Sequence, residues 1–213
     1  MLNAEMAGRI QLRLQIIDIN MIKNLKTSVK LLAPYLAVCI FWCIFKNGWL
    51  AIIAYHIQIL LWTRHIPNMS LPKQKKLILV AIPAILAGPL LYFLLPYITQ
   101  TELSIWLQEY HISGLSLALM IPYFGLIHPV LEQIHWESLR EKTYLSHFAF
   151  AGYHILVLYS LLTIPWVIFC FIVLSFTSFM WHKVAQQSKT LAIPIASHVL
   201  ADLGIIVVAW LQT

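Results

Sequence analysis

The chain has 213 residues, of which 61% are apolar and only 10% charged, with a mean hydropathy of +0.80. Soluble domains carry about 25% charged residues, so a soluble globule is excluded, and three cysteines are too few for a secreted disulfide scaffold. The net charge of +6 does not signal nucleic acid, because Lys and Arg sit in short polar stretches between apolar runs, where they set topology.

The N-terminal stretch, residues 1–30, mixes Arg9, Arg13, Lys23, Lys26 and Lys30 with Ile10, Leu14, Ile17, Met21 and Leu25 at intervals of three or four. That spacing predicts an amphipathic interfacial helix on an anionic membrane face, or one packed on the protein's own cytoplasmic loops. The start, MLNAEMAGRIQLRLQ, is too polar for a cleaved secretory signal. Seven apolar runs follow, at roughly 31–46, 48–63, 77–96, 112–136, 145–161, 164–181 and 191–211. With about 20 residues per span, they leave no room for a soluble domain. The expectation is an all-α, polytopic transmembrane helical bundle of about seven spans. It divides into the amphipathic segment 1–30, N-terminal spans over 31–111 and a core over 112–213.

Charge tests this partition independently of hydropathy. With a cytoplasmic N-terminus, thirteen of the fourteen cations lie inside, among them Arg64, Lys73, Lys75, Lys76, Arg140, Lys142, Lys183 and Lys189. Only Lys46 falls outside, where the loop TQTELSIWLQEYH carries Glu102 and Glu109. The bias predicts a multi-pass protein of the plasma or inner membrane with its C-terminus outside. Pro34, Pro83, Pro89, Pro129, Pro165 and Pro194 fall in or near spans, where neighbouring helices satisfy freed backbone groups. Cys39, Cys43 and Cys170 have no metal or redox spacing and read as small buried hydrophobes. The Trp and Tyr residues read as interfacial anchors and packing.

Ionisable groups inside spans are rare and costly, so each is a functional candidate. Glu132 lies in HPVLEQIHWESLR, His154 in FAFAGYHILVL, and His198 and Asp202 in IPIASHVLADLGII. The last two are four residues apart and share a helix face. At about 1.5 Å per residue, Glu132 lies roughly 7 Å, His198 roughly 10 Å and His154 roughly 14 Å from the inner ends of their runs. Three helices at compatible depths predict one polar cavity open to the cytoplasm. Such a set can activate water, the carboxylate as general base and the imidazoles as hydrogen-bond donors or metal ligands. His128 and His135 could line the same face, whereas His56 reads as an interhelical hydrogen bonder.

The segment HPVLEQIHWE resembles the first motif of the CPBP (CAAX protease and bacteriocin-processing, or Abi) family of intramembrane proteases, Glu-Glu-x-x-x-Arg after a His-Pro. Phe150-Ala-Gly-Tyr-His154 is similar to the second motif, Phe-x-x-x-His, and His198-Val-Leu-Ala-Asp202 to the third, His-x-x-x-Asn/Asp. Two positions depart from the pattern: Gln133 replaces the second Glu, and Glu137 stands at the Arg position, with Arg140 one turn later.

The resemblance implies a CPBP-like catalytic core over 112–213 and an intramembrane endopeptidase acting on a membrane-associated peptide or protein. It assigns Glu132, His154, His198 and Asp202 to catalysis, with Gln133, Glu137, Phe150 and Arg140 in support. Glu132 activates water with His154, while His198 and Asp202 orient the substrate and stabilise the oxyanion. Zinc is the one cofactor the set suits, through Glu132, His154 and His198; glutamate-type catalysis requires none. Two other readings use the same residues: a noncatalytic family member acting as a membrane binding, immunity or assembly factor, and a proton-coupled transporter.

Overall fold

The computed structural model describes residues 24–63, 67–71 and 75–213. Helix α1 (Asn24–Ile44) widens to π winding over Val38–Ile44. After a short turn, α2 (Gly48–Trp62) begins at Asn47, whose side chain accepts from the Leu50 N–H at 2.9 Å, an N-cap that satisfies one orphan donor of the first turn. A 3-10 coil over Lys75–Leu86 runs into α3 (Ala87–Ile98), and a short α4 (Leu103–Glu109) lies between α3 and α5. Then come α5 (Leu115–Arg140), α6 (Leu145–Leu158), α7 (Ile164–Ser188) and α8 (Ala192–Leu211). No β-strand occurs among the described residues.

Among the described residues five segments are long and apolar enough to cross a membrane: α1, Ala81–Ile98, α5, α7 and α8. The other two apolar passes are short. Helices α2 and α6 have 15 and 14 residues, about 22 and 21 Å of rise, against a hydrocarbon core of about 30 Å. Leu61, Phe93, Leu115 and Phe176 are exposed, whereas Glu132, Gln133 and His147 are fully buried. Polar inside and apolar outside is the arrangement a bilayer demands, and the chain is an integral membrane protein.

The amphipathic segment expected over 1–30 lies mostly outside the described residues; from Asn24 onward it is already the start of α1. Arg64 and Lys73 also lie outside them. At the end of the bundle where α1 stops, Lys46 pairs with Glu109, and that neighbour raises the ammonium pKa above its usual value. Trp42 stacks on Tyr110 there at 3.9 Å between ring centroids, and Trp106 Nε1 donates to Ser160 Oγ at 3.0 Å. The three free cysteines are half-buried rather than buried, and Cys43 Sγ lies 3.8 Å from the Leu156 carbonyl as a weak donor.

Helix α8 runs through the middle of the bundle, against the 3-10 coil, α3, α5 and α7, while α6 packs on α7 and the end of α1. A Cβ at Gly88 would lie 2.8 Å from Gly204 Cα; only two glycines let α3 and α8 cross backbone to backbone. In α5 the turn Tyr123–Ile127 is π-wound, the His128 N–H reaching back to the Tyr123 carbonyl. Pro129 follows at once, and its missing N–H leaves the preceding turn without a regular donor. Helix α5 then continues to Arg140, four residues beyond the expected end of the run. Glu132 is therefore about 12 Å from the helix end rather than 7 Å.

Candidate functional site

Glu132 is fully buried where α5 meets α2, α6 and α8. Its two oxygens have different surroundings. Oε1 accepts from Tyr55 Oη of α2 at 2.8 Å, from Trp136 Nε1 one turn ahead at 3.2 Å, and from the Tyr153 hydroxyl of α6. Trp136 Nε1 also reaches Tyr55 Oη at 2.8 Å. Hydrogen bonds to a charged group are worth about 1.5–3 kcal/mol each, so three donors offset much of the carboxylate's desolvation. Oε2 accepts no hydrogen bond from any described group. It faces His128 Nε2 at 3.6 Å and His198 Nε2 at 3.5 Å.

The orientation of His198 follows from a chain that starts on a cation. Arg140 Nη1 donates to Gln133 Oε1 at 3.0 Å, which turns the amide nitrogen of Gln133 toward His198 Nδ1, 3.2 Å away. An amide N–H can only donate, so Nδ1 is the acceptor and the ring proton resides on Nε2. That N–H is directed between Glu132 Oε2 and Asp202 Oδ2, the latter at 3.4 Å and itself without a hydrogen bond from any described group. Trp181 stacks on the ring at 4.6 Å and fixes its plane.

His154 joins the cluster at one remove. Its Nδ1 donates to the Phe150 carbonyl at 2.7 Å, leaving Nε2 as the acceptor side of the neutral ring, 3.1 Å from Tyr153 Oη. Tyr153 thus stands between His154 and Glu132 and has one proton to share between them. Phe150, fully buried, meets the His154 ring edge-on at 4.8 Å and the Trp136 ring at 5.7 Å. Of the four expected catalytic residues, Glu132, His198 and Asp202 are therefore in direct register, and His154 connects through Tyr153.

Gln133, Glu137 and Arg140 form a second polar layer. Arg140 Nη1 lies 3.4 Å from Glu137 Oε2, and His182 Nδ1 of α7 lies 2.7 Å from Glu137 Oε1. Arg140 Nε donates to Ser178 Oγ at 2.9 Å, and the guanidinium sits over the rings of Phe150 and Trp181. Arg140, one turn after Glu137, thus pairs with it and additionally reaches Gln133.

Tyrosine and tryptophan were expected only as anchors and packing; three of them hold the carboxylate. Trp136 was accessible from its spacing to Glu132, and Tyr153 from its place beside His154, but nothing in the sequence marks Tyr55. His56, expected as an interhelical hydrogen bonder, bonds Tyr123 Oη at 2.8 Å and His128 Nδ1 at 3.0 Å. His135 is buried against Tyr55, and among the described residues its Nε2 meets no hydrogen-bond partner.

Among the described residues no group of three or more His, Cys, Asp or Glu side chains is arranged to hold a metal ion. The set Glu132, His154 and His198 does not fit one, because the Tyr153 hydroxyl stands at the His154 nitrogen that would ligate. A recess of about 430 Å³ opens elsewhere, lined by Leu95, Thr99, Glu102 and Gln212. Fold and site define a polytopic all-α membrane protein with a buried carboxylate–imidazole cluster. No protein-family model, curated protein or solved structure matches the chain.

Proposed function

We propose that the protein is an intramembrane endopeptidase that hydrolyses a peptide bond of a membrane-associated peptide or protein, in the manner of CAAX proteases. The observation that carries the reading is the asymmetry of Glu132: Oε1 holds three donors, while Oε2 is left bare between His128 Nε2 and His198 Nε2. A bare, positioned carboxylate oxygen beside imidazole N–H groups is what a general base requires. Glu132 Oε2 takes a proton from water as the water oxygen attacks the scissile carbonyl. The His198 N–H, oriented by Gln133 and backed by Asp202, donates to the developing oxyanion. The proton on Glu132 then passes to the leaving amine. Tyr153 and His154 steady the carboxylate from its other oxygen. The cation distribution supports a cytoplasmic N-terminus and a site approached from that side of the plasma or inner membrane.

The burial of Glu132, His198 and Asp202 favours a second reading. A substrate reaches this cluster only if helices part, and a noncatalytic binding, immunity or assembly factor needs no such opening. Mass spectrometry of membranes from cells carrying the wild-type chain or Glu132→Gln separates the two. Proteolysis predicts a peptide product that disappears in the variant; identical peptide profiles at equal protein level would leave the binding reading in its place.

A further inference from the structure

We infer that Tyr123, His56 and His128 form a proton relay that serves Glu132. Its links are consecutive and involve both nitrogens of each ring: Tyr123 Oη to His56 Nδ1 at 2.8 Å, His56 Nε2 to His128 Nδ1 at 3.0 Å, and His128 Nε2 to Glu132 Oε2 at 3.6 Å. The last is a few tenths of an ångström beyond hydrogen-bond length and ends on the oxygen that accepts from no described group. An imidazole that accepts at one nitrogen and donates at the other passes a proton through by exchanging tautomers. Two in series, 5.2 Å between centroids, extend that exchange from the buried carboxylate to a half-buried phenol. The π turn of α5 runs from Tyr123 up to His128, so the irregular backbone joins the two residues of α5 that His56 of α2 bridges.

The relay runs in either direction. Delivery to the carboxylate breaks His128 Nε2–H and forms Glu132 Oε2–H. The His56 Nε2 proton moves to His128 Nδ1, the Tyr123 phenol proton moves to His56 Nδ1, and a hydronium ion returns a proton to the phenolate and leaves neutral water. Withdrawal is the same set of bonds in reverse, with one proton released to water. Other titratable groups surround the path: Tyr55 from α2, His135 from α5, Tyr153 and His154 from α6, and His198 and Asp202 from α8. His198 alone among these imidazoles also faces Glu132 Oε2 directly, and its Nδ1 is held by Gln133, which closes that side to onward transfer. The relay does not depend on peptide hydrolysis, because any event that changes the protonation of Glu132 uses it.

The test uses the purified full-length chain in lipid nanodiscs without substrate. A light-released proton pulse is followed by time-resolved infrared spectroscopy, and the carboxylic C=O band absent from Glu132→Gln reports Glu132. His56→Gln and His128→Gln retain a donor and an acceptor but cannot exchange tautomers. Each is expected to slow the appearance of the band about 10²-fold without reducing its final amplitude, and Tyr123→Phe to slow it as well, while His111→Gln in the α4–α5 loop leaves it unchanged. Imidazole added to His56→Ala is expected to restore the rate. An unchanged rate in both Gln variants, failure of imidazole to restore it, or absence of any Glu132 band on acidification would overturn the relay. Because no substrate is present, the relay and the protease reading can each fail alone.

Discussion

Glu132 and Glu137 sit five residues apart on α5 and are both buried, yet the helix presents them to opposite kinds of surroundings. Glu137 has a partner on each oxygen, His182 on one and Arg140 on the other. Glu132 gathers three donors on one oxygen and leaves the second bare. The Glu137 layer resembles a structural ion pair, in which charge is neutralised and the helix end tied to α7. The Glu132 layer spends its hydrogen bonds on fixing a carboxylate while keeping one oxygen available. The layers are coupled, because Gln133 accepts from Arg140 and donates to His198.

The largest expected effect breaks the comparison at its reactive side. Glu132→Gln is nearly isosteric and still accepts at Oε1, but it cannot act as a base; cleavage is expected to fall by about 10²–10⁴-fold at unchanged protein level. His198→Ala and His154→Ala are expected to abolish cleavage as well. Accumulation of uncleaved substrate in membranes measures all three. Full support of the biological phenotype by Glu132→Gln would remove the protease reading.

At the structural side, Arg140→Leu leaves Glu137 with His182 alone and Gln133 without its orienting donor. Breaking a buried pair by removing one partner costs about 3–5 kcal/mol, so the expected loss is of stability, read as a lower unfolding temperature in detergent. A variant as stable as wild type would mean that the Arg140 layer is not structural and that the two layers do not differ in this way.

Tyr55→Phe tests the donors on Oε1 without touching the base. Losing one hydrogen bond to a charged group costs about 1.5–3 kcal/mol, and part of that is expected in the rate of cleavage at constant substrate, with folding retained because Trp136 and Tyr153 still donate. A loss of folding without a rate effect in the surviving protein would make Tyr55 a packing residue.

The bundle and the candidate carboxylate were legible because both follow from periodicity and from the rarity of charge in apolar runs. Glu132, His198 and Asp202 stood out as ionisable groups in spans, and two of them share a helix face by spacing alone. What the sequence could not supply was rotation and contact between helices. The π turn before Pro129 and the extension of α5 to Arg140 change which residues share a face and how deep Glu132 lies. Tyr55 lies on a helix too short to span, with no motif near it, and reaches Glu132 only through packing. Tyrosine in a membrane helix has two common uses, an anchor at the interface and a donor in the interior, and composition does not separate them.

The smallest expected effect sharpens the coupling between the layers. In wild type the Gln133 amide can only donate to His198 Nδ1, so the ring proton is confined to Nε2, facing Glu132 and Asp202. Gln133→Glu replaces that donor with an acceptor. The new carboxylate keeps the bond from Arg140 Nη1 and gains charge assistance, which favours retention of the fold. Toward His198 it now requires an N–H at Nδ1. Either Nε2 loses its proton and the N–H that faces the bare oxygen disappears, or the ring carries both protons and becomes a charged donor. The second outcome is expected, because the carboxylate added at position 133 favours charge on the ring it faces. Cleavage is accordingly expected to stay within a few-fold of wild type or rise slightly, and nitrogen NMR of labelled histidine should show Nδ1 of His198 protonated in the variant and unprotonated in wild type. A protonated Nδ1 in wild type would mean that the Gln133 amide is turned the other way, and the orientation of His198 would then owe nothing to Arg140.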